Sequence, residues 1–269
     1  MPKHSIVMPA FNCSATLGTA VQSVVGQTCQ DWELIIVDDC STISSDSIYD
    51  FYQAHPRIRV HKLDSNIGPA GCRNIALSQA TGQFIHFLDS DDYWFSPYLE
   101  RIEFAHLVSG SPLCFSSYLR VCHPRELVVG SSICHPPRHL TSRDLLIRNS
   151  IPLLTSSIDQ TRIIVPGFPL PDGIEPLSRP EDQLFWLKLF FRNPGLVAYG
   201  LCEPLAVYSV SPSSRSSRKL ATLLRQYEVK RSFGLPSQVA LFNTLIYALL
   251  SLRGKSLSEI MMHLRGMIR

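Results

Sequence analysis

Two largely apolar runs that stop abruptly in carboxylates constrain this chain more than any other feature. One is Phe84-Ile85-His86-Phe87-Leu88, followed at once by Asp89-Ser90-Asp91-Asp92; the other is Glu33-Leu34-Ile35-Ile36-Val37, followed by Asp38-Asp39. Runs this short and this apolar, the first introduced by the turn signal Thr81-Gly82, read as fully buried strands. Each strand then delivers its acids to the edge of a sheet, where ligands sit in open α/β folds. Asp89 and Asp91, one position apart, can aim oxygens at one hard divalent cation, with Asp92 in support. Clustered carboxylates repel one another, and a cation relieves that repulsion. The same acids also suit a helix N-terminus, since Ser96-Pro97 follows shortly. The motif alone leaves both readings open.

The first half otherwise alternates. Ser5-Ile6-Val7-Met8 is a short strand stopped by Pro9, with Pro9-Ala10-Phe11-Asn12 as the loop after it. Ser14 caps a helix from about Ala15 to Val25, with Leu17, Val21, Val24 and Val25 on one face. Ser44-Ser45-Asp46 opens a helix through Gln53, Arg57 to Lys62 forms a third strand, and Gly68 to Gln79 a further helix. Such alternation predicts a parallel sheet with crossover helices. In the loop Asn66-Ile67-Gly68-Pro69-Ala70-Gly71-Cys72-Arg73-Asn74, the glycines permit unusual backbone angles or close approach of a ligand. The helix start there offers unpaired amides, and Arg73 is a forked donor suited to a base or to phosphate oxygens. A solvated loop explains the same residues.

From Pro112 the alternation breaks down. Strands are expected at Leu113 to Cys122 and Leu127 to Ile133, pairing antiparallel, then a short helix at Thr141 to Arg148 and a strand at Leu153 to Ile158. Pro180-Glu181-Asp182 opens an amphipathic helix carrying Leu184, Phe185, Leu187 and Leu189, and Pro204 to Ser209 reads as a last strand. A hydroxyl-rich, basic stretch from Ser211 to Lys219 either folds over a diphosphate or serves as a linker. The tail from about Leu220 is helical, and its most apolar part, Gln238 to Leu252, is shorter than the roughly 20 residues of a bilayer span. Arg225, Lys230, Arg231, Arg253, Lys255, Arg265 and Arg269 surround it. Two readings stay open: peripheral attachment to an anionic membrane, or packing on the catalytic domain or a dimer partner.

With 269 residues the chain can bury a sizeable core, and its net charge of +3 is too mild to imply nucleic acid as a partner. Met1-Pro2-Lys3-His4 runs straight into a strand, so the expected location is cytoplasmic, with the inner membrane face as the place of any peripheral contact. Eight scattered cysteines are expected as free thiols. Cys122-His123, Cys134-His135 and His139 match no compact zinc spacing, and adjacent Cys-His residues on a strand point to opposite faces.

In order, Ser5 to Asn12, Gln27-Thr28 to Thr42, Asn66 to Asn74, Phe87 to Asp92 and Pro180-Glu181-Asp182 resemble the family 2 glycosyltransferases of the GT-A fold, over roughly the first 190 residues. The resemblance implies an α/β, Rossmann-like mixed sheet with a mostly parallel N-terminal half, helices on both faces and a C-terminal helical tail. It implies a nucleotide-sugar half at 1–110, an acceptor half at 111–210 and a helical extension at 211–269. The activity implied is inverting transfer of a sugar from a nucleoside diphosphate, most commonly UDP, to an acceptor hydroxyl, dependent on Mn²⁺ or Mg²⁺. The acceptor would be a glycan, a lipid-linked oligosaccharide or a protein, as in synthesis of bacterial-type surface polysaccharide.

The same resemblance implies roles. Pro9, Ala10, Phe11 and Asn12 would line the nucleotide pocket, with Phe11 against the base. Asp38 or Asp39 would accept a hydrogen bond from the base, with Gly68 and Arg73 beside it. Asp89 and Ser90 would face the ribose and the metal region, and Asp91 would coordinate the cation, with Asp89 and Asp92 around it. Asp182 would be the general base with Glu181 beside it, and Tyr208 would sit near the diphosphate. The chain departs from the family at Cys40, where glycine is usual, at Gly71-Cys72, where alanines are, and at Ser209, where arginine often stands; Arg215, Arg218 or Lys219 could substitute for that arginine. Two rivals remain. A sugar-phosphate nucleotidyltransferase would resemble a pattern with a glycine-rich basic loop in place of Pro9-Ala10-Phe11-Asn12. A nucleotide-binding scaffold without catalysis is opposed by Asp89, Asp91 and Asp182.

Overall fold

The computed structural model describes residues 1–42, 46–122, 132–170, 181–210 and 219–253. The first half runs β1 (His4–Ala10), α1 (Leu17–Val25), β2 (Trp32–Asp38), α2 (Asp46–Gln53), β3 (Ile58–Lys62), α3 (Gly68–Gln79) and β4 (Phe84–Phe87). A two-residue strand, β5 (Tyr93–Trp94), and α4 (Tyr98–Ser109) follow. The second half holds β6 (Leu113–Cys122), β7 (Ser132–Cys134), β8 (His139–Leu140), α5 (Ser142–Ile147), a 3-10 turn (Leu153–Thr155), β9 (Ser156–Asp159), α6 (Glu181–Arg192) and β10 (Ala198–Val210). Two helices, α7 (Lys219–Ser232) and α8 (Ser237–Arg253), close the described chain.

Among the described residues the strands form one sheet in the order β3-β2-β1-β4-β9-β6-β10-β5, with β7 on β6 and β8 on β10. β3, β2, β1 and β4 are mutually parallel. β9 runs antiparallel to both β4 and β6, which makes the sheet mixed. The apolar runs are strands because helices cover both faces. In β1, Ile6 and Met8 enter one core and Val7 the other; in β2, Leu34 and Ile36 face one way, Ile35 and Val37 the other. Leu17, Val21 and Val24 of α1 complete the first core, and Phe185, Trp186 and Leu189 of α6 the second.

Several elements differ from expectation. β10 is 13 residues long, because Pro204, which reads as a strand boundary, sits at a register shift against β6 where a residue without an N–H is tolerated. The strand expected from Leu153 begins as a 3-10 turn. Of the strand expected at Leu127 to Ile133, β7 holds the end and pairs antiparallel with β6, while 123–131 lie outside the described residues. Ser44 and Ser45, expected to cap α2, also lie outside them. Helix α1 starts at Leu17 rather than near Ala15, after a turn closed by Thr16 N–H and Leu17 N–H on Cys13 O. His123 is not described, and Cys134 is a free thiol.

Candidate active site

Parallel pairing of β1 with β2 and β4 brings their C-terminal ends to one edge, so Pro9 to Asn12, Asp38-Asp39 and Asp89 share it. Phe11 is 49% exposed, an apolar ring presented rather than buried. Asn12 takes φ 49°, and its N–H donates to Ser41 Oγ at 2.9 Å while its Oδ1 accepts from Thr42 N–H at 2.9 Å. The loops after β1 and β2 are therefore tied together.

The paired acids after β2 are buried and already hydrogen-bonded. Asp38 Oδ1 accepts from the Tyr49 hydroxyl at 2.9 Å and from Ser41 Oγ. Asp39 grips the glycine loop, with Oδ1 accepting from Ile67 N–H at 2.7 Å and Oδ2 from Gly68 N–H at 2.9 Å. Gly68 has φ 79°, which brings its amide to that carboxylate without the cost a side chain would add. Cys40 adopts φ 58° without being a glycine. Cys72 is buried in α3, and burial, with Asp39 nearby, pushes its thiol up to about 12; it packs rather than reacts.

Arg73 joins the two halves of the edge. It is 4% exposed, and its Nη2 donates to Asp89 Oδ1 at 2.6 Å while Nη1 donates to Glu181 Oε1 at 2.7 Å. The Phe168 ring lies 5.4 Å from its guanidinium carbon. Burial opposes the charge, but Asp89 and Glu181 outweigh it and drive the pKa further up. Arg73, which the family resemblance puts beside the nucleotide base, clamps the end of β4 to the start of α6 through its two terminal nitrogens, and Glu181 is a partner of that clamp.

One residue beyond Glu181, Asp182 Oδ2 accepts from Asn149 Nδ2 at 2.8 Å and Oδ1 from Gln183 N–H at 2.8 Å. Burial pushes its pKa up, with Arg73 pulling against that and Asp89 adding to it. Asn149 and Phe168 escaped the sequence reading. They lie in a segment with no periodicity, and only the folded chain shows what they touch.

The Asp89-Asp91-Asp92 cluster splits in three directions. Asp92 N–H donates to Asp89 O at 3.1 Å, closing a turn with Asp91 exposed at its tip. Asp92 turns inward, 2% exposed, and its Oδ1 accepts from Ser209 N–H at 2.8 Å. Burial, then Asp89 and Asp91, drive its pKa well up. Partial desolvation of its carboxyl by the protein beside the turn, and then Asp89, raise Asp91 too, although the residue as a whole is exposed. Among the described residues no three His, Cys, Asp or Glu side chains converge to hold a metal by themselves. Asp92 is engaged by Ser209 N–H of β10, and one oxygen of Asp89 by Arg73. A hard cation that keeps waters and shares substrate oxygens needs only one or two carboxylates, and Asp91 with the second oxygen of Asp89 fits that donor set.

Tyr208, 36% exposed, stands edge-on to Tyr118 at 6.0 Å, and its pKa is raised by burial and then by Asp92, Asp91 and Asp89. It therefore flanks the acid cluster. Ser209 Oγ is buried without a partner among the described residues, and as a hydroxyl it brings no charge to the acid cluster. Arg215 and Arg218 lie outside the described residues.

An acid-tipped parallel sheet edge, locked to a helix start that presents a desolvated aspartate, has the architecture of a GT-A glycosyltransferase. Solved structures agree on the fold. Staphylococcus aureus TarS residues 1–349, in complex with UDP-GlcNAc, aligns over 96% of this chain and 77% of that one, with TM-score 0.67 and 23% identity. The mannosyltransferase PcManGT of Pyrobaculum calidifontis, in complex with GDP-Man and Mn²⁺, aligns over 99% and 80%, with TM-score 0.57 and 14% identity. Residues 5–106 match the model of glycosyl transferase family 2. TuaG of Bacillus subtilis, named as a teichuronic acid biosynthesis glycosyltransferase, is 33% identical over 232 residues, covering 86% of this chain and 88% of its own. WfgD of Escherichia coli, named as a UDP-Glc:α-D-GlcNAc-diphosphoundecaprenol β-1,3-glucosyltransferase, is 30% identical over 230 residues, 85% of each chain. The chain belongs to glycosyl transferase family 2 and is an enzyme of that family.

Proposed function

We propose that this enzyme moves a sugar from a UDP-sugar to a hydroxyl of a lipid-diphosphate-linked acceptor, with inversion, in the assembly of a bacterial surface polysaccharide. The observation that carries the reading is the Arg73 fork, which bonds Asp89 through one terminal nitrogen and Glu181 through the other and so ties the start of α6, where Asp182 follows Glu181, to the end of the acid-tipped strand. Support for the donor and acceptor comes from the relatives: WfgD is named for UDP-Glc and a diphosphoundecaprenol acceptor, and the TarS structure contains UDP-GlcNAc.

Asp182 takes the proton from the acceptor hydroxyl. The oxygen then forms its bond to the anomeric carbon as the bond from that carbon to the diphosphate breaks, and the electron pair leaves with the diphosphate. Desolvation suits Asp182 to the task, since a raised pKa makes a carboxylate a better proton acceptor, and Asn149 fixes its orientation. Asp91, with Asp89, would hold Mn²⁺ or Mg²⁺, whose charge offsets that of the departing diphosphate. Phe11 stacks on the base, Pro9, Ala10 and Asn12 form the pocket wall, and Asp38 or Asp39 offers a remaining lone pair to the base. Gly68 and Ser90 bring backbone close to the nucleoside, and Tyr208 borders the diphosphate.

The test is turnover of a panel of labelled nucleotide sugars with a diphosphate-lipid acceptor, with Mn²⁺ or Mg²⁺ and after chelation. Metal-dependent transfer from a UDP-sugar, with the product's anomeric configuration inverted by NMR, is the expected result. Binding without turnover would favour a scaffold, and exchange of labelled pyrophosphate into the nucleotide sugar would favour a nucleotidyltransferase.

A further inference from the structure

The C-terminal helices carry a surface that the transfer chemistry does not use. Leu241, Phe242, Leu245 and Leu249 of α8 are 53%, 63%, 55% and 57% exposed. Their spacing places all four on one side of the helix, while Ala240 and Thr244 are buried on the other. A solvated helix shows the reverse pattern, polar outward and apolar inward. α8 is 17 residues long, and among the described residues no helix is long and apolar enough to cross a membrane. A helix of this kind lies in an interface plane with its apolar side down.

Charge selects the partner. Of 25 basic and 22 acidic residues, ten basic and two acidic fall in 211–269, which leaves the first 210 residues with 15 basic and 20 acidic. The catalytic part is thus net negative, and the tail bearing the apolar stripe is strongly positive. That asymmetry complements an anionic surface. It opposes a second copy, because a two-fold pairing of α8 would bring two positive tails together. Four side chains on one helix also fall short of the roughly 1,200–2,000 Å² that a stable protein interface buries.

We infer that the outward face of α8 docks this enzyme on an anionic lipid bilayer. The mounting is directed, since α8 packs on α7 and touches α5, and Gln226 of α7 donates at 2.6 Å to Gln183, the residue after Asp182. Docking therefore holds the acceptor side of the cleft in a fixed relation to the bilayer. The inference stands on the stripe and the charge, independently of which sugar or acceptor is used.

The test is co-sedimentation of the full chain with phosphatidylcholine vesicles, with and without about a third phosphatidylglycerol, at low and at about 0.5 M salt. The expected result is binding to the anionic vesicles only, weakened at least about tenfold by high salt and by the combined change Phe242→Ser, Leu245→Ser and Leu249→Ser. Melting temperature, UDP binding and turnover of a soluble acceptor are followed in parallel, so that a folded, active variant with lost vesicle binding tests this inference alone. Failure of the unaltered chain to bind anionic vesicles, or equal binding by the triple variant, overturns it. So does sedimentation as a dimer that the triple variant dissociates, which would make the stripe a protein interface.

Discussion

Arg73→Lys separates a structural clamp from a nucleotide contact. Arg73 is 4% exposed and makes two charge-assisted hydrogen bonds, at 2.6 Å to Asp89 and 2.7 Å to Glu181. Each close pair is worth about 4 kcal/mol of Coulomb attraction at an effective dielectric near 20, most of which repays the desolvation of the ions. Removing one member of a buried pair typically costs about 3–5 kcal/mol. Here the Asp89 side chain is 40% exposed and water can take over, so full loss of the guanidinium is expected at the low end, about 3 kcal/mol. A lysine ammonium keeps the charge but cannot span both carboxylates as a planar fork does, so Arg73→Lys is expected to cost about 1–2 kcal/mol. At about 2–4 °C per kcal/mol for a chain of this size, the melting temperature should fall by about 2–8 °C. Calorimetry with a parallel UDP titration reads both quantities. Unchanged melting with weakened UDP binding would refute the clamp and put the guanidinium on the nucleotide.

Other changes probe single features. Cys40, at φ 58°, pays for a left-handed conformation that costs an ordinary residue about 1–2 kcal/mol. Cys40→Gly should therefore stabilise the fold by up to about 1 kcal/mol after the added unfolded-chain entropy, and Cys40→Val should destabilise it, both read by urea denaturation. Lys230 is fully buried between α7 and α8, donates to Thr244 Oγ1 at 3.4 Å, and is pushed by burial down to about 8. An amine whose folded pKa lies below its ordinary 10.5 weakens the fold most below pH 8, and the penalty fades as pH rises through 8 toward 10.5. Stability should thus climb over that window, and Lys230→Met should remove the climb and add about 2–3 kcal/mol at pH 7. Asn149→Ala takes a donor from the Asp182 carboxylate, whose pKa burial already raises, so the acid limb of the pH–rate profile should move further up with UDP binding unchanged.

The acid-tipped strands could be read from the chain because their apolar runs admit no solvated face, and a buried strand must end where its polar residues begin. The same logic located the ends of β1, β2 and β4, and hence the sheet edge that carries the acids. It did not give side-chain directions beyond those ends. Asp91 and Asp92 are neighbours, yet the turn closed on Asp89 O leaves one exposed and sends the other into the protein toward Ser209. The clamp made by Arg73 was not legible, because its partners lie 16 and 108 positions away and nothing local announces such pairs. Pro204 concealed the length of β10, since a register shift accommodates a proline that local rules treat as a boundary. Asn149 carries no periodic or motif signal, and it matters through the placement of α6 alone.

The division of labour between Asp91 and Asp182 is tested most directly by paired titration and turnover of Asp182→Asn and Asp91→Asn with a UDP-sugar and Mn²⁺. The expected outcome is that Asp182→Asn binds the donor as the unaltered enzyme does while transfer falls by at least about a hundredfold, and that Asp91→Asn loses the metal-dependent part of donor binding. Normal transfer by Asp182→Asn, or an unchanged metal response in Asp91→Asn, would contradict the account.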